Sequence, residues 1–441
     1  MKSRGLLVAA FVLGALSGTL YWSNHRKPPN TNVNASAETP PKILTLNQGD
    51  VAAVEIKKRG SENATLARND AGQWEIVAPK PLRADQDAVS SLLSTLSPLN
   101  SDRLVEDKTS NLEQYGLMLP SIQVDITEKN KKTKKLLIGD DTPTGSGAYA
   151  AVAGDPRVFI VASYNKSGFD KSVNDLRDKR LFTFDSDKLS RVELTANKAV
   201  IEFGRNKDEW QIVKPKPLRA DQSSVEELIR TLRDAKMDLS GSEDTKKNAA
   251  PFNSGSPFAT VKVTDVSGTQ EMQVRKNKDD YYAKSSIVDG VYKVSSTLGT
   301  GLGKKLDDFR NKKLFDFGFA DPDKVEVHDG SKGLFLSRTD SDWWSNGAKM
   351  EENSVRSLID KIRDVSASRF VDGGFTSVLL ELTVTSNEGK RIEKVSISKN
   401  GAGYVAKREN DPALYELDAS AVTDLQKSAA DLKPAPQSAK K

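Results

Sequence analysis

Few residues of this chain carry the side chains from which catalytic or metal sites are usually built. The 441-residue sequence has no cysteine and only two histidines, His25 and His328. The lack of cysteine excludes disulfides, thiolate metal sites and cysteine nucleophiles. With two histidines, a Ser-His-Asp triad or a multi-histidine zinc site is nearly excluded as well. We therefore expect no catalytic residue, no metal ligand and no cofactor.

Two aspartates, Asp85 and Asp221, are the candidates for paired carboxylates. Each stands immediately before a stretch with helical periodicity, where a short acid accepts hydrogen bonds from free backbone N–H groups and complements the helix dipole. Glu351 or Glu352 takes this place in a third such stretch. Because a catalytic site would need only one of these residues, we interpret Asp85 and Asp221 as structural helix caps.

Tryptophans are the other side chains with binding potential. Trp74, Trp210 and Trp343 lie at a similar distance before the three helical stretches. They suit either sugar-stacking platforms or the cores of strand hairpins, and their regular placement favours the cores. Trp344 has no counterpart in the other two stretches, so we take it as the better candidate for ligand contact.

The basic residues Arg177, Arg180 and Arg310 belong to two similar charged segments, DLRDKRLFTF at residues 175–184 and DFRNKKLFDF at 308–317. One interpretation is an anion or phosphate site. The other is a brace of ion pairs around the apolar residues of each segment, and we favour the brace. These three arginines remain weak interaction candidates.

Internal repetition is the strongest pattern in the chain. The octapeptide PKPLRADQ occurs at residues 79–86 and again 136 residues later at 215–222. Each copy precedes an apolar helical stripe, and a third stripe with the same spacing begins at Val355. The pattern predicts three tandem diverged repeats, at residues 42–182, 183–314 and 315–432.

Each repeat contains the same succession of elements. A strand and a Trp-bearing strand come first, then an amphipathic helix, then four alternating strands and a closing helix. This order predicts an α+β fold in which each unit is a mixed, mostly antiparallel sheet with one or two packed helices.

The N-terminus has the features of a membrane anchor. The uncharged run Gly5–Trp22 follows Lys2 and Arg4, and its 18 residues would span ~27 Å as a helix, about one hydrocarbon core. We expect a signal-anchor helix within residues 1–22, a flexible linker at 23–41 and a disordered tail at 433–441. A cleaved signal peptide is the alternative, but its A-x-A site, Ala35–Ala37, lies far beyond the apolar run.

The distribution of charged residues indicates where the protein is located and which kind of partner it binds. The net charge of +5 comes from thoroughly mixed basic and acidic residues, which argues against nucleic-acid binding. Basic residues flank the apolar run almost equally, and the short N-terminal tail favours an extracytoplasmic body. We expect an inner-membrane protein with a single N-terminal anchor and its bulk in the periplasm.

The string W-x-I-V-x-P-x-P-L-x-A-D at Trp74–Asp85, with YGL at Tyr115–Leu117, LLIG, YA and LRDKRL, resembles the family of the domain of unknown function 4340. The resemblance covers residues 43–182, and the second and third repeats keep only part of it. It implies a bacterial, membrane-anchored envelope protein, often found beside auxiliary ABC-transport components. It supplies no catalytic residues.

Three functions follow from these patterns. The first is a non-catalytic envelope protein that binds or scaffolds a protein partner, as an accessory to an ABC-type transport complex. The second is an envelope hydrolase that uses two carboxylates on glycan, which requires acids unique to one repeat and facing a cleft. The third is a cell-wall glycan-binding module that uses exposed aromatic residues.

Overall fold

The computed structural model describes residues 41–240 and 245–436, and side chains at 245 and 246 are not described. No helix within these ranges is long and apolar enough to cross a membrane. The predicted anchor at 1–22 and all but the last residue of the predicted linker lie outside the described residues. The chain forms two compact units, which divide between Asp178 and Lys179.

The first unit contains one large sheet and a small strand pair. The large sheet has nine strands in the order β5-β4-β3-β2-β8-β9-β10-β11-β7, and β1 pairs with β6. The strands are β1 (Lys42–Leu44), β2 (Val51–Lys58), β3 (Ala64–Arg68), β4 (Trp74–Ala78), β5 (Leu82–Arg83), β6 (Leu99–Asn100), β7 (Arg103–Glu106), β8 (Ile122–Glu128), β9 (Thr133–Asp141), β10 (Gly147–Val152) and β11 (Val158–Ala162). The helices are α1 (Gln86–Leu96), α2 (Ser163–Phe169) and α3 (Val173–Leu176).

The second sheet has eight strands in the order β15-β14-β13-β12-β16-β17-β18-β19. The strands are β12 (Arg191–Ala196), β13 (Ala199–Asn206), β14 (Glu209–Lys214), β15 (Leu218–Arg219), β16 (Ser256–Asp265), β17 (Gly268–Asn277), β18 (Asp280–Ser285) and β19 (Val288–Val294). The helices are α4 (Gln222–Arg233), α5 (Thr245–Ser254) and α6 (Ser296–Leu302). Helix α5 is an insertion that the repeat pattern did not predict.

The third sheet has nine strands in the order β23-β22-β21-β20-β25-β26-β27-β28-β24. The strands are β20 (Lys324–Asp329), β21 (Lys332–Thr339), β22 (Asp342–Ser345), β23 (Ala348–Lys349), β24 (Arg369–Val371), β25 (Val378–Ser386), β26 (Arg391–Asn400), β27 (Gly403–Arg408) and β28 (Leu414–Leu417). The helices are α7 (Glu352–Asp364) and α8 (Ala419–Ala430). The second and third sheets belong to the same compact unit.

One strand order is common to the three sheets. Each contains two four-stranded antiparallel meanders whose first strands pair with each other, as β2 does with β8, β12 with β16 and β20 with β25. The first and third sheets have one further edge strand, β7 and β24. Consecutive strands pair because short turns join them, and a helix with its connections joins the two meanders. The prediction of an α+β fold built from mostly antiparallel sheets is confirmed.

Each sheet buries one face under its long helix. Alternate residues of the strands point to that face, as Val192 and Leu194 do in β12. The buried stripe of each long helix has i, i+3, i+4, i+7 spacing. These stripes are Val89, Leu92, Leu93 and Leu96 in α1, Val225, Leu228, Ile229 and Leu232 in α4, and Val355, Leu358, Ile359 and Ile362 in α7.

The backbone of each charged segment, 175–184 and 308–317, pairs with two different parts of the chain, one through its first half and one through its second half. The second half of each pairs with the chain that leaves the next long helix, as Met237 N–H does with the Lys179 carbonyl at 2.8 Å. Ala367 N–H makes the same bond to the Lys312 carbonyl at 2.9 Å. Leu181 and Phe182 therefore lie in the second core and not in the first, where the predicted boundary at residue 182 placed them.

A stretch that makes the same backbone bonds as one half of a charged segment lies at each end of the described chain. Ser101 N–H donates to the Pro41 carbonyl at 3.0 Å, so Pro41 makes the same bond as Lys179. At the other end, Glu351 N–H donates to the Lys433 carbonyl at 2.9 Å, and Ala435 N–H donates to the Lys349 carbonyl at 2.8 Å. The prediction of a disordered tail from residue 433 therefore does not hold for residues 433–436.

Candidate functional site

The aspartates at the helix starts make capping contacts. Asp85 Oδ1 accepts from Asp87 N–H and Ala88 N–H, both at 3.1 Å. Asp221 Oδ1 accepts from Ser224 N–H at 2.8 Å. Glu351 takes this role in α7, and its hydrogen bond from Ser354 N–H lowers the pKa of its carboxyl group. The capping oxygens are thus bonded to helix N–H groups.

The three regularly placed tryptophans are buried in the hairpins. Trp74, Trp210 and Trp343 are each about 5% exposed. The Gln that ends the octapeptide fixes the backbone of the first two: Gln222 Oε1 accepts from Trp210 N–H, and its Nε2 donates to the Trp210 carbonyl, both at 2.8 Å. Gln86 makes the same two bonds to Trp74. The octapeptide therefore joins hairpin to helix.

The three arginine candidates lie in the segments between sheets. Arg177 is buried in the first unit, where its backbone bridges to Ala84. Arg180 is exposed, and its backbone bridges to Lys236. Arg310 lies in the second unit, with its guanidinium carbon 3.3 Å from the ring centre of Phe370 and an ion pair to Asp307 at 3.0 Å. Trp344 lies apart, on strand β22 of the third sheet.

A cleft of about 500 Å³ opens where the second sheet meets the third. Its lining comes from β14 and β15 on one side and from the ends of β26 and β27 on the other. We call it the joint cleft, and its charged lining residues are Glu209, Arg219, Asp316, Arg391, Arg408, Glu409 and Asp411. None of them is among the site residues predicted from the sequence.

Asp316 is the centre of the charges in the joint cleft. Its carboxylate forms an ion pair with Arg219, and Arg408 and Arg391 approach it at 3.5 and 3.6 Å. The buried Glu393 accepts from Arg408 at 3.0 Å and from the backbone N–H of Asp316 at 3.0 Å. These contacts connect the second sheet, through Arg219, to the third.

A tyrosine and a second acid extend this cluster. The Tyr415 hydroxyl donates to Asp411 at 2.6 Å and accepts from Arg219 Nη1 at 3.1 Å. Burial is the main cause that raises the pKa of Tyr415, to about 12. The hydroxyl therefore stays protonated near neutral pH and acts as a fixed donor.

The second sheet has neutral residues at the positions of this charge cluster. Thr183 N–H donates to Gln270 Oε1 at 2.9 Å, the same bond that Asp316 N–H makes to Glu393. Ser285 Oγ donates to the Leu181 carbonyl at 2.6 Å, where Arg408 donates to the Leu314 carbonyl. The acids Asp316 and Glu393 therefore have no acidic counterparts in the second sheet.

The joint cleft thus has acids of the kind that a glycan hydrolase would require, but not their environment. A hydrolase that uses two carboxyl groups needs both of them to flank the scissile bond of the substrate. Asp316 and Asp411 instead contact guanidinium groups, and Glu209 and Glu409 are exposed at the surface. Within residues 41–240 and 245–436, no group of three His, Asp or Glu side chains is placed to hold a metal ion. The arrangement fastens two sheets together.

A second polar and aromatic region lies on the outer face of the third sheet. Trp344 and Phe335 are 36% and 47% exposed, and their strands β22 and β21 are neighbours. His328 meets the Phe335 ring edge-on, with ring centres 5.4 Å apart. We call this region the aromatic surface. Its cleft of about 240 Å³ is lined in part by Lys324, Glu326, Phe335, Ser337, Trp344 and Asn346.

The YGL and LLIG motifs meet on the first sheet. A Cβ on Gly139 would lie 2.1 Å from the Tyr115 carbonyl oxygen, so only glycine allows the two backbones to approach this closely. Leu117 is buried against Ala151 and Val158. The Tyr115 hydroxyl donates to Glu106 at 2.7 Å, and this bond lowers the pKa of Glu106. These motifs hold a loop on the sheet.

Comparison with known proteins gives one family. The model of the family described as Domain of unknown function (DUF4340) matches residues 74–211 and, a second time, residues 210–383. Both matches start at a hairpin tryptophan, so they are out of phase with the sheets. Together they confirm the resemblance to this family over residues 74–383. No curated protein and no solved structure matches the chain.

Proposed function

This chain belongs to the DUF4340 family, and we propose that it is a non-catalytic, membrane-tethered protein of the bacterial cell envelope that binds or scaffolds protein partners. The proposal includes three tandem diverged repeats, a signal-anchor at residues 1–22 and a body in the periplasm. It also includes an accessory role beside an ABC-type transport complex.

One observation carries the non-catalytic part of the proposal. Two acids of the third sheet that have no acidic counterpart in the second sheet are held by arginines. Asp316, which lines the joint cleft, contacts three guanidinium groups, and Glu393 contacts two. The guanidinium groups around these carboxylates take them up as ion-pair and hydrogen-bond acceptors, which suits a joint between sheets.

The tethered part of the proposal is supported by the sequence. The uncharged run Gly5–Trp22 is long enough to span a bilayer, and the Pro- and Asn-rich residues after it would give the body freedom to reorient. N-terminal sequencing of the mature protein tests the anchor, and protease added to spheroplasts tests the side of the membrane. We expect an intact N-terminus and a digestible body. A mature N-terminus at Glu38, or a fully protected body, would contradict the tether.

Purification of the full chain from solubilised membranes tests the partner-binding role. We expect a partner to remain bound in a fixed ratio, measured by native mass spectrometry, and expect it to include subunits of an ABC-type transporter. The matched control replaces residues 1–22 with a cleavable signal peptide, which should release a folded body from the membrane. A chain that purifies alone and cleaves glycan, with activity lost in Asp316→Asn, would overturn the proposal.

A further inference from the structure

We propose that the aromatic surface of the third sheet is a saccharide-binding site, in which a sugar ring stacks on Trp344 and its hydroxyl groups bond to the polar side chains around it. This inference goes beyond the proposed scaffolding role and does not depend on it. The site would take a single pyranose unit of a neutral glycan.

The fold does not require the aromatic side chains at this surface. Strand register makes Phe335 equivalent to Glu202 of the second sheet, because each lies opposite the middle glutamate of the first strand. Trp344 is likewise equivalent to Gln211. Thr65 and Glu75 have these places in the first sheet. Two sheets with the same strand order are thus built with polar residues where the third has two rings.

Polar side chains of the second sheet form ion pairs with one another, and their equivalents in the third sheet lose these partners because Phe335 is aromatic. In the second sheet, Glu202 pairs with Lys214 at 2.7 Å and with Arg191 at 2.8 Å, and Arg191 also reaches Glu193 at 3.4 Å. Phe335 takes the place of Glu202 in the third sheet, so the closed network is lost. Within the described parts of the chain, neither Lys324 nor Glu326, the equivalents of Arg191 and Glu193, makes a side-chain hydrogen bond or an ion pair within 4 Å.

The chemistry of this surface fits a sugar better than other ligands. Planar rings attract the apolar C–H face of a pyranose, and a cation, an acid, a hydroxyl and an amide around them match hydroxyl groups that both donate and accept. Lys324 and Glu326 balance each other, so the site has no net attraction for a polyanion. The cleft of about 240 Å³ is smaller than typical sites for drug-sized ligands, which is consistent with one ring.

Exchange of residues between equivalent positions gives variants that the fold should tolerate. Trp344→Gln introduces the residue of the second sheet. Phe335→Glu introduces the acid that pairs with Arg191 in the second sheet. The new carboxylate should form an ion pair with Lys324 and so block the sugar from the site. The control is Phe319→Ser, which removes a side chain that is 96% exposed in the same unit but lies outside the aromatic surface.

Isothermal titration of the full chain with cellotetraose and with the tetrasaccharide of β-1,4-linked N-acetylglucosamine tests the proposal. We expect at least one to bind, and expect Trp344→Gln to weaken binding about tenfold, with Phe319→Ser unchanged. Intrinsic fluorescence should shift on binding in the wild type and not in Trp344→Gln. Failure of both sugars, or equal binding by Trp344→Gln, would overturn the saccharide site, and neither result bears on the protein partner.

Discussion

Asp316 is the residue whose replacement tests most sharply how the second and third sheets are joined. We predict that Asp316→Thr destabilises the second unit, because it leaves Arg219, Arg391 and Arg408 without their common acceptor. Removing one partner of a buried ion pair costs about 3–5 kcal/mol. The Asp316 side chain is 24% exposed, so water compensates in part, and we expect a loss of about 2–3 kcal/mol.

The second sheet suggests how to repair this loss. It makes the same backbone contacts with Thr183, Gln270 and Ser285 in place of Asp316, Glu393 and Arg408. The triple variant Asp316→Thr, Glu393→Gln, Arg408→Ser removes the buried charges together and supplies neutral partners. We therefore expect it to recover more than half of the stability that Asp316→Thr loses, because replacing a whole ion cluster costs less than breaking it.

Differential scanning calorimetry of the full chain measures both effects. A loss of 2–3 kcal/mol should lower the melting temperature of the second unit by about 4–10 °C. The control is Glu388→Gln, which breaks the exposed ion pair with Lys390 on the same sheet and should leave the melting temperature nearly unchanged. A triple variant as unstable as Asp316→Thr, or less stable, would refute the argument that the charges act as one cluster.

Two further predictions concern stability. Asp221→Ala should destabilise the second unit by about 0.5–2 kcal/mol in urea unfolding, whereas Asp221→Asn, which can still accept from Ser224 N–H, should be nearly neutral; equal losses in both variants would contradict the capping role. The hydrogen bond from Lys214 lowers the pKa of Glu202 below its ordinary value of 4.5. The stability that the ionised Glu202 contributes is therefore present above pH 4.5 and is lost as the pH falls through the folded-state pKa. Glu202→Gln should therefore be less stable than wild type at pH 6, and the difference should shrink below about pH 4; a constant difference across this range would count against the linkage.

The sequence predicted the elements whose signals are local. Helical stripes such as Val225, Leu228, Ile229 and Leu232 have a period that only one face of a helix satisfies, and they are buried as a group. The aspartates before them were identified because capping depends on neighbours two or three residues away. The segment Lys42–Leu46 is not predicted as part of a joint, because KILTL shares only its threonine with RLFTF at residues 180–184.

The residues of the joint cleft could not be selected from sequence. Arg219 lies in the repeated octapeptide and Asp316 in the segment 308–317, but these two residues and Arg408 are far apart in the chain, and no local spacing relates them. Only strand pairing brings them together. Trp344 was selected because it has no counterpart, but Phe335 was missed because it stands between two leucines in Leu334–Leu336, where the apolar run hides which side chain points outward.

The offset between the family match and the sheets has a practical consequence for anyone who shortens this chain. A fragment cut at residues 74–211 would begin at the first residue of β4 and end inside β14, so it would lack β2 and β3 and carry only part of the second sheet. Its exposed strand edges would pair with other molecules and favour aggregation. A fragment that begins before β1 and ends at Asp178 keeps the first sheet whole, with the strand pair β1 and β6 intact.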